Sequence, residues 1–589
     1  MKKMVRIFAM MLSLVLFASV LTACTPSETP DTPDTPDVPD TPDTPDEPDT
    51  PTPEVPDTPE VPDEPEVPDA PVVEPWISTI PTAPKMAQEL LVCDAVGGVN
   101  GLTQGVLQGL AAKNSTTQIL LRANSWSRYL TFIKMRDVKV SEADQAGNAW
   151  TLASLMSYYA PMLDGYILCA SDLATESASV AVSLSGILNA VVVTPDNEQR
   201  AKDAGLQMVI DVTDKDDAWL RESEYFNLLA YDVAVEQPVT MAPKLVDYAA
   251  MAGAYCYYYN GNVREEHAKQ FEFLDDGAVV IGWNGTLGEY ETVYSLSEEN
   301  ACLIPADHAY NLSTLSSFAG EGKLNEKQYA DKDSEKAHIE DEAKHTVCFV
   351  MSDGDNLQWM LNDYCGTNWF GSPLRGQFPM TWGLPALAGE LALPMVEYFK
   401  QAQTGKDEFI MQLSGLGYTF PSKWDARARD DMAERLADAM ADRGFRYLNI
   451  LDDHGFTEEN MASFTQFDDT VQGIFYTDYG NYAGYEGKIL WSNDVPVVAA
   501  RYRLWAGLED GSLENIAKSI NKATANVYNE DAYSFIIVHA WSGVNANGEL
   551  VSGGNTMNAV EKLIGMFDED VEVVSASEFM NRVRENLMP

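Results

Sequence analysis

The sequence has few basic residues and no paired cysteines. Lysine and arginine total 39 of 589 residues against 90 aspartates and glutamates, so the formal net charge is −51. A field of this sign repels phosphate backbones and anionic lipid surfaces, and we therefore expect no nucleic-acid partner. The seven cysteines include no C-x-x-C pair and no spacing with histidine that suits tetrahedral zinc. Zinc fingers and dithiol redox sites are thereby excluded.

Cofactor motifs are also lacking. Gly97, Gly98 and Gly101 follow the first predicted strand, but their spacing is not that of the G-x-G-x-x-G dinucleotide loop. The six histidines are scattered along the chain and form no H-x-x-x-H pair. The sequence therefore predicts neither a bound cofactor nor a metal site.

The chain begins with a short targeting pattern. Three basic residues among the first six precede an apolar run over residues 7–21, and Leu21-Thr22-Ala23 leads directly to Cys24. This pattern resembles a bacterial lipoprotein signal, which implies export, cleavage before Cys24 and a diacylglycerol on its thiol. We expect a signal peptide over 1–24 and a protein anchored to the bacterial membrane only through this lipid, facing outward. The alternatives are an ordinary signal peptide and a short membrane anchor, for which the run is short.

Residues 25–75 are predicted to be a disordered spacer. Their composition is 17 prolines and 17 acidic residues, with no lysine, arginine or glycine. Proline at nearly every third position prevents helices and sheet ladders and favours extended polyproline conformation. At about 3.1 Å per residue, this linker would place a domain on the order of 160 Å from the membrane.

From residue 76 onward the composition becomes globular. Apolar β-branched runs alternate with helix-length segments, a pattern typical of parallel sheets covered by helices. We predict an α/β domain over 76–232 and a second small α/β domain over 233–344, ending in an exposed connection at 320–344. Cys93 and Cys169 lie in apolar runs, where we expect buried free thiols. The predicted strands are 90–94, 118–121, 166–169, 190–193, 208–212 and 279–283.

Residues 345–589 have the usual length of an eight-fold β/α barrel. One helix is predicted over 429–443, because Met432, Leu436 and Met440 recur at helical spacing and Gly444 can end it. The expected fold class is therefore α/β, with a C-terminal barrel-like domain preceded by domains of mostly parallel strands. The predicted barrel strands are 346–351, 380–383, 409–413, 447–451, 473–477, either 489–491 or 497–499, 535–538 and 571–574.

Pairs of carboxylates follow two of these strands. Asp353 and Asp355 come directly after the first, separated by Gly354, and Asp452 and Asp453 come directly after the fourth. Barrel enzymes place their chemistry at the carboxyl ends of strands, so these four aspartates are the candidate catalytic residues. Helix capping and turn formation are the competing roles, because aspartate suits both.

Other polar and aromatic residues near the same strand ends are candidates for substrate binding. Aromatic rings can stack on a ring-shaped substrate, and imidazole, amide and carboxyl groups can bond its hydroxyls. Aromatic residues at loop edges can equally be lids on the core. The candidates are Asn356, Trp382, Tyr418, His454, Asp478, His539 and Trp541.

The segment GLGYTFP at 415–421 resembles the signature of the GxGYxYP family of putative glycoside hydrolases, with Phe420 in place of the second tyrosine. The resemblance spans roughly residues 80–589 and implies a sugar-processing protein with a barrel-like C-terminal domain, without assigning catalytic residues. Phe420 removes one hydroxyl, which matters only if that hydroxyl contacts substrate in relatives. Further similarities lie at 107–110, at 282–283 with Glu289 and Glu291, at 311–313 and at 352–356.

These observations lead to a glycoside hydrolase hypothesis. Two of the four aspartates would act as general acid and as nucleophile or base on a poly- or oligosaccharide at the cell surface. One alternative is a metal-dependent glycan deacetylase, for which Asp355, His454 and His539 would have to converge. Another is a non-catalytic surface protein that holds a glycan in the same cleft.

Overall fold

The computed structural model describes residues 80–123, 125–258, 261–319 and 343–589. The predicted signal peptide, the lipidation site Cys24, the proline-rich linker and nearly all of the predicted connection at 320–344 lie outside these residues. Within them, no helix combines the length and the apolar character needed to cross a membrane. Strands and helices alternate throughout the described chain, and the fold is α/β as predicted.

The N-terminal half contains three small parallel sheets. Their strands are β1 (Glu89–Asp94), β2 (Thr117–Arg122), β3 (Lys139–Ser141), β4 (Gly165–Leu168), β5 (Ala190–Val193), β6 (Met208–Asp211), β7 (Ala230–Glu236), β8 (Ala254–Tyr257), β9 (Val279–Gly282) and β10 (Cys302–Pro305). The strand orders are β2-β1-β3, β5-β4-β6 and β10-β9-β7-β8. Every pairing is parallel, which explains the near-continuous apolar runs in the sequence.

Helices connect these strands, as parallel pairing requires. The α-helices are Gly98–Asn114, Trp126–Ile133, Leu152–Tyr159, Glu176–Ile187, Glu198–Asp203, Asp217–Glu222, Val246–Ala252, Arg264–Phe271, Glu289–Glu298 and Leu312–Ser316. Short 3-10 turns lie at Ala160–Met162, Phe226–Leu228 and Val239–Met241.

Burial in these sheets follows the prediction with one exception. Cys93 and Cys169 are buried and free, which confirms that they pack as small apolar side chains. The strand β6 is predicted to be buried, but it lies at an edge of its sheet with Met208 and Val209 keeping 49% and 42% of their surface exposed, whereas the other edge strand, β5, is buried. An apolar run alone does not distinguish an edge strand from a central one.

Two of the segments named for their similarity to the GxGYxYP family hold this half together. Gln108 donates from Nε2 to the Asn311 side chain at 2.6 Å, and Asn311 in turn bonds the backbone of β2. Gly109 lies so close to the Val246–Ala252 helix that a Cβ atom would be 2.0 Å from the carbonyl oxygen of Asp247. The 107–110 and 311–313 segments therefore act in packing.

The C-terminal half is built on one curled, barrel-like sheet. Its region contains β11 (His345–Met351), β12 (Met380–Leu384), β13 (Asp407–Gln412), β14 (Tyr447–Asp452), β15 (Gly473–Asp478), β16 (Ile489–Ser492), β17 (Val495–Ala499), β18 (Tyr502–Leu504), β19 (Tyr533–Val538), β20 (Ser542–Val544), β21 (Leu550–Ser552) and β22 (Val571–Val573). The sheet runs β16-β17-β15-β14-β13-β12-β11-β19-β18, with β22 also beside β11, while β20 and β21 form a separate hairpin. All pairings in the large sheet are parallel except that of β16 with β17.

One short stretch of chain contacts both β15 and β19 of the curled sheet. Only Ala500 and Arg501 separate β17 from β18. The N–H of Ala500 donates to the carbonyl of Tyr476 in β15 at 2.8 Å, and the N–H of Arg501 donates to the carbonyl of Phe535 in β19 at 2.9 Å. This stretch therefore continues the sheet from β15 to β19 and gives it a barrel-like shape.

All eight predicted barrel strands are present within two residues of their predicted bounds, but the last one is placed differently from an eight-fold barrel. The seventh, β19, pairs with β11 along six residues, whereas the eighth, β22, pairs only with the first three residues of β11. The strand beside β19 is instead β18. Its three residues carry no apolar run that could have predicted it.

The helices of this half include the predicted one, which extends over Ala426–Arg443. Gly444 ends it with a left-handed φ of 72°, as its sequence position predicted. The other α-helices are Leu357–Leu361, Ala388–Ala402, Glu458–Thr465, Leu513–Ile520, Thr556–Ile564 and Ala576–Leu587, with 3-10 turns at Pro421–Lys423 and Glu530–Ala532.

Candidate active site

A cavity of about 150 Å³ lies at the carboxyl ends of the curled sheet. The turn after β11 contributes Asp353 and Asp355 to its wall. The third N-terminal sheet and its connections contribute Trp283 and Glu289, and the 415–421 segment contributes Tyr418. The two halves of the described chain therefore build this cavity jointly.

The turn after β11 is fixed by close backbone packing. Asp353 has a left-handed φ of 62°, a conformation that aspartate and asparagine tolerate better than most residues. The N–H of Gly354 donates to Oε1 of Gln412 at 2.8 Å, and a Cβ atom on Gly354 would lie 2.0 Å from that oxygen. Gln412 is itself anchored to the Asn449 side chain at 2.7 Å. This packing explains why glycine separates the two aspartates.

Asp353 is the cavity carboxyl with hydrogen-bond donors from the C-terminal half. Trp541 donates from Nε1 to Oδ1 at 3.3 Å, and the Ser352 hydroxyl donates to the other oxygen. Donors of this kind stabilise a carboxylate anion. Asp353 is therefore held in the cavity wall by hydrogen bonds to two side chains of the C-terminal half.

Asp355 is far less solvated than Asp353. Only 6% of the residue is exposed, and no side chain in the described ranges donates a hydrogen bond to its carboxyl. Burial, followed by the charges of Asp353 and Glu289, raises the pKa of Asp355 to about 8. This carboxyl is therefore mostly protonated at pH 7.

Glu289 reaches the cavity from the first turn of the Glu289–Glu298 helix. The residue as a whole is exposed, but its carboxyl is enclosed and accepts from the Tyr418 hydroxyl at 2.9 Å. This enclosure, reinforced by the charge of Asp353, raises the pKa of Glu289 to about 7. Glu289 can therefore exchange a proton near neutral pH.

A buried network fixes the loop before Glu289. The Asn284 side chain donates to Oε1 of Glu236 at 2.8 Å and accepts from two N–H groups of the loop, at Thr286 and Leu287. Glu236 also lies 3.0 Å from Nε2 of His267, and both of these side chains are wholly buried. The backbone that leads to Glu289 is thus tied to the core.

The 415–421 segment joins the curled sheet to the third N-terminal sheet. Leu303 in β10 and Tyr418 exchange backbone hydrogen bonds of 2.8 and 2.7 Å. A Cβ atom on Gly417 would lie 2.7 Å from the Leu303 carbonyl oxygen, so glycine permits this approach. The signature therefore brings Tyr418 to Glu289.

Phe420, the departure from the signature, is wholly buried. Its ring lies 5.7 Å from that of Tyr290, 5.9 Å from that of Tyr418 and 5.3 Å from that of Tyr479, measured between centroids. It does not line the cavity. The ring packs, and its missing hydroxyl takes no group away from the cavity.

The other two predicted catalytic residues have different surroundings. Asp452 is wholly buried and accepts from the Ser422 hydroxyl at 2.7 Å and from the N–H of Asp453 at 2.8 Å; burial raises its pKa. Asp453 lies 2.9 Å from Nζ of Lys423 and accepts from the Tyr290 hydroxyl at 3.0 Å. Burial alone would raise the pKa of Asp453, but these two groups hold it below its usual value.

Asp478 and His454 lie beside this pair. The N–H of His454 donates to Oδ1 of Asp478 at 2.9 Å, and the imidazole Nδ1 lies 3.3 Å from Oδ2, while most of the ring is exposed. Neither residue lines the cavity, nor does Asp452 or Asp453. The structure thus separates the predicted catalytic aspartates into two groups and leaves only Asp353 and Asp355 at the cavity.

Three of the predicted substrate-binding residues lie at the cavity. Tyr418 and Asn356 line it, and Trp541 bonds Asp353. Asn356 also caps the Leu357–Leu361 helix by accepting from the N–H of Trp359 at 3.1 Å. Asn356 therefore combines helix capping with a place in the cavity wall.

Two other candidates are held by the protein itself. Trp382, predicted to bind substrate, is wholly buried and donates from Nε1 to Asp407 at 2.9 Å, so it is a core residue. The ring of His539 stacks on Trp505 at 3.6 Å, and its Nδ1 lies 2.7 Å from the Ser542 hydroxyl. Burial lowers the pKa of His539 to about 4, so its imidazole is neutral at pH 7.

Sequence reasoning did not assign a role to Glu289, Trp283 or Tyr482, which all line the cavity. The only signal for Glu289 and Trp283 is the family resemblance at 282–283 and 289. The metal site needed by a deacetylase has no counterpart in the described residues, where no three His, Cys, Asp or Glu side chains are arranged to hold a metal ion.

Comparison with known proteins agrees with this architecture. A crystal structure of a putative hydrolase from Bacteroides thetaiotaomicron VPI-5482 is 25% identical and superposes with a TM-score of 0.75, covering 88% of this chain and 100% of its own. A search of curated proteins gives no match. Three family models match, described as the GxGYxYP_N second domain over 163–229, the GxGYxYP third domain over 230–317 and the GxGYxYP putative glycoside hydrolase C-terminal domain over 343–584. The chain therefore belongs to the GxGYxYP family.

Proposed function

We propose that the protein hydrolyses glycosidic bonds in this cavity, with Glu289 as the general acid and Asp353 as the nucleophile or base. The observation that carries the proposal is that two carboxyls from different halves of the chain reach one cavity with different surroundings. Asp353 faces hydrogen-bond donors, whereas Glu289 has a pKa of about 7. Glycosidases need such a pair, one carboxyl protonated and the other ionised.

The proposed reaction uses each carboxyl once in the bond-breaking step. Glu289 gives its proton to the glycosidic oxygen as the bond to the anomeric carbon breaks. The Asp353 carboxylate either attacks that carbon or takes a proton from the attacking water, and the Trp541 N–H keeps it oriented. Tyr418 holds Glu289 in place. In the nucleophile route, the ionised Glu289 then takes a proton from the water that breaks the bond between Asp353 and the sugar; in the base route, Asp353 releases its proton to solvent and Glu289 is reprotonated from solvent.

The proposed substrate is a poly- or oligosaccharide. Trp283, Tyr418 and Tyr482 offer aromatic surface to a sugar ring, and Asn356 offers an amide to its hydroxyls. With the lipid anchor expected at Cys24, the reaction would take place at the outer surface of the bacterial cell. Asp452 and Asp453 have no part in the proposed chemistry.

The test is the release of new reducing ends from a panel of plant, host and bacterial glycans. We expect at least one glycan to be cleaved by the wild type and by Asp214→Asn, an exposed position far along the chain from the cavity residues. The double variant Asp353→Asn/Glu289→Gln should release nothing above background. Glycan binding without cleavage by the wild type would refute the proposal and identify a binding protein.

The stereochemistry of the product sharpens the result. Proton NMR of the first anomer formed distinguishes retention, in which Asp353 is the nucleophile, from inversion, in which it is the base. Either outcome is compatible with the pair. Cleavage that persists in the double variant would move the chemistry to other residues.

A further inference from the structure

The cavity contains more carboxyl groups than a glycosidase reaction uses. Two carboxyls suffice for that chemistry, but Glu289, Asp353 and Asp355 all line the cavity. Among the described residues in its wall, none is lysine, arginine or histidine. His539, which is close enough to interact with the charge of Asp353, is neutral at pH 7. The described part of the chain therefore supplies no cation to balance these carboxyls.

Asp355 differs from the other two carboxyls in having no side-chain donor among the described residues. Trp541 and Ser352 donate to Asp353, and Tyr418 donates to Glu289. Asp355 is 94% buried at the cavity wall, and within the described ranges only its own backbone N–H faces its carboxyl. A carboxyl that meets only its own backbone N–H can accept further hydrogen bonds, so this one is available to a donor on the ligand.

The aromatic residues of the wall favour the same kind of donor. Trp283, Tyr418 and Tyr482 all line the cavity. The faces of such rings carry negative charge and attract cations, and they also pack on the apolar faces of sugar rings. A ligand that combines a sugar ring with a positive charge would use both properties.

We infer that Asp355 binds a protonated amino group of the substrate, so that the cavity takes an amino sugar whose nitrogen is not acetylated. The ammonium group would favour the ionised form of Asp355, which is mostly protonated without a ligand, and form a charge-assisted hydrogen bond with it. Uronic and sulfated sugars would bring negative charge into a cavity whose described wall holds no cation, and they are disfavoured. The inference deepens the proposed function, because it concerns the same cavity, but it requires only that the cavity bind a sugar.

The test is calorimetric titration of the full-length protein at pH 7. Glucosamine, galactosamine and mannosamine are each compared with the neutral hexose, the N-acetylated sugar and, where it exists, the uronic acid. We expect one amino sugar to bind at least about tenfold more tightly than its neutral and acetylated forms, with an affinity that falls as salt is raised. The Asp355→Asn variant should lose this preference, while Asp214→Asn should keep it.

The wild-type preference is measured without any variant, so misfolding of Asp355→Asn cannot produce it. Equal affinity for amino and neutral sugars, a preference that survives Asp355→Asn, or no binding of any amino sugar would overturn the inference. The test of amino-sugar binding and the test of hydrolysis can fail independently of each other. A protein that prefers amino sugars but cleaves no glycan refutes only the proposed function, whereas cleavage of neutral glycans without an amine preference refutes only this inference.

Discussion

Two groups of carboxyls lie at or near strand ends of the described chain, and they differ in what the protein gives them. The cavity carboxyls are Glu289, Asp353 and Asp355, and the paired aspartates are Asp452, Asp453 and Asp478. The paired aspartates are neutralised or bonded by Lys423, Ser422 and the backbone of His454. The cavity carboxyls have a few neutral donors and no cation among the described residues of the wall. Carboxyls that the protein does not already pair with a cation remain able to bind or react with a substrate.

The two groups are also physically linked. Tyr290 follows Glu289 directly in the chain, and its hydroxyl donates to Asp453 at 3.0 Å. Asp453 therefore holds the beginning of the Glu289–Glu298 helix against the curled sheet. On this account, the paired aspartates position an element that the cavity carboxyls use.

The largest effect that separates the groups is expected from Glu289→Gln, because glutamine cannot give a proton to the leaving oxygen. We expect kcat/KM on glycans to fall by about 10²–10⁴-fold and the loss to be much smaller on aryl glycosides whose leaving group needs no proton. In the wild type, kcat/KM should decline above about pH 7 as Glu289 loses its proton, and the variant should lack this limb.

Glu291→Gln is the matched control, since Glu291 lies on the same helix and forms an exposed pair with Arg264. It should keep the wild-type rate and pH profile. An equal loss on all leaving groups with Glu289→Gln would mean that Glu289 is not the acid.

A smaller effect, on stability, is expected from Asp453→Asn. The change leaves Lys423 without its carboxylate partner and weakens the bond to Tyr290, so the free energy of unfolding should fall by about 1–3 kcal/mol. Asp94→Asn, in an exposed pair with Arg122, should change it by less than about 0.5 kcal/mol. Thermal unfolding followed by circular dichroism measures both. If the Asp453→Asn protein is as stable as the wild type, Asp453 does not hold the Glu289–Glu298 helix against the curled sheet.

The smallest effect is expected from Asp355→Asn, which should raise the stability of the folded protein at high pH and not lower it. The pKa of Asp355 is raised to about 8 in the folded protein, so the stability associated with its protonated form is lost as pH rises toward 8. Asparagine does not ionise and avoids this loss. We expect the variant to melt about 2–4 °C above the wild type at pH 8, with a difference that shrinks toward pH 4, where the carboxyl is also largely protonated in the unfolded chain. A variant destabilised more at pH 8 than at pH 5 would contradict the burial of this carboxyl.

Local sequence predicted most of the fold and one part of the site. The strands β11 to β15 are visible as apolar runs because parallel strands are buried on both faces. Asp353 and Asp355 were predicted because a D-G-D turn directly follows such a run. β18 was missed because three residues are too few to form a pattern.

The rest of the site depends on contacts between distant segments. Asp452 and Asp453 have the same local sequence pattern as Asp353 and Asp355, and only the approach of Ser422 and Lys423 from another loop gives them a different role. Glu289 reaches the cavity because Tyr418 pairs with Leu303 across the two halves of the chain. No periodic pattern of apolar residues in the sequence predicts that pairing. Trp382 was predicted as a substrate ligand because strand position does not reveal a bond such as the one to Asp407.

The most direct test of the account compares turnover of two variants with the same change in charge, Asp353→Asn and Asp453→Asn, on a glycan that the wild type cleaves. Asparagine can adopt the left-handed φ of residue 353, so the first variant should fold normally. We expect Asp353→Asn to lower kcat at least about 10³-fold, while Asp453→Asn stays within about tenfold of the wild type at a temperature where it is folded. The reverse order would place the chemistry at the paired aspartates and exclude Asp353 from it.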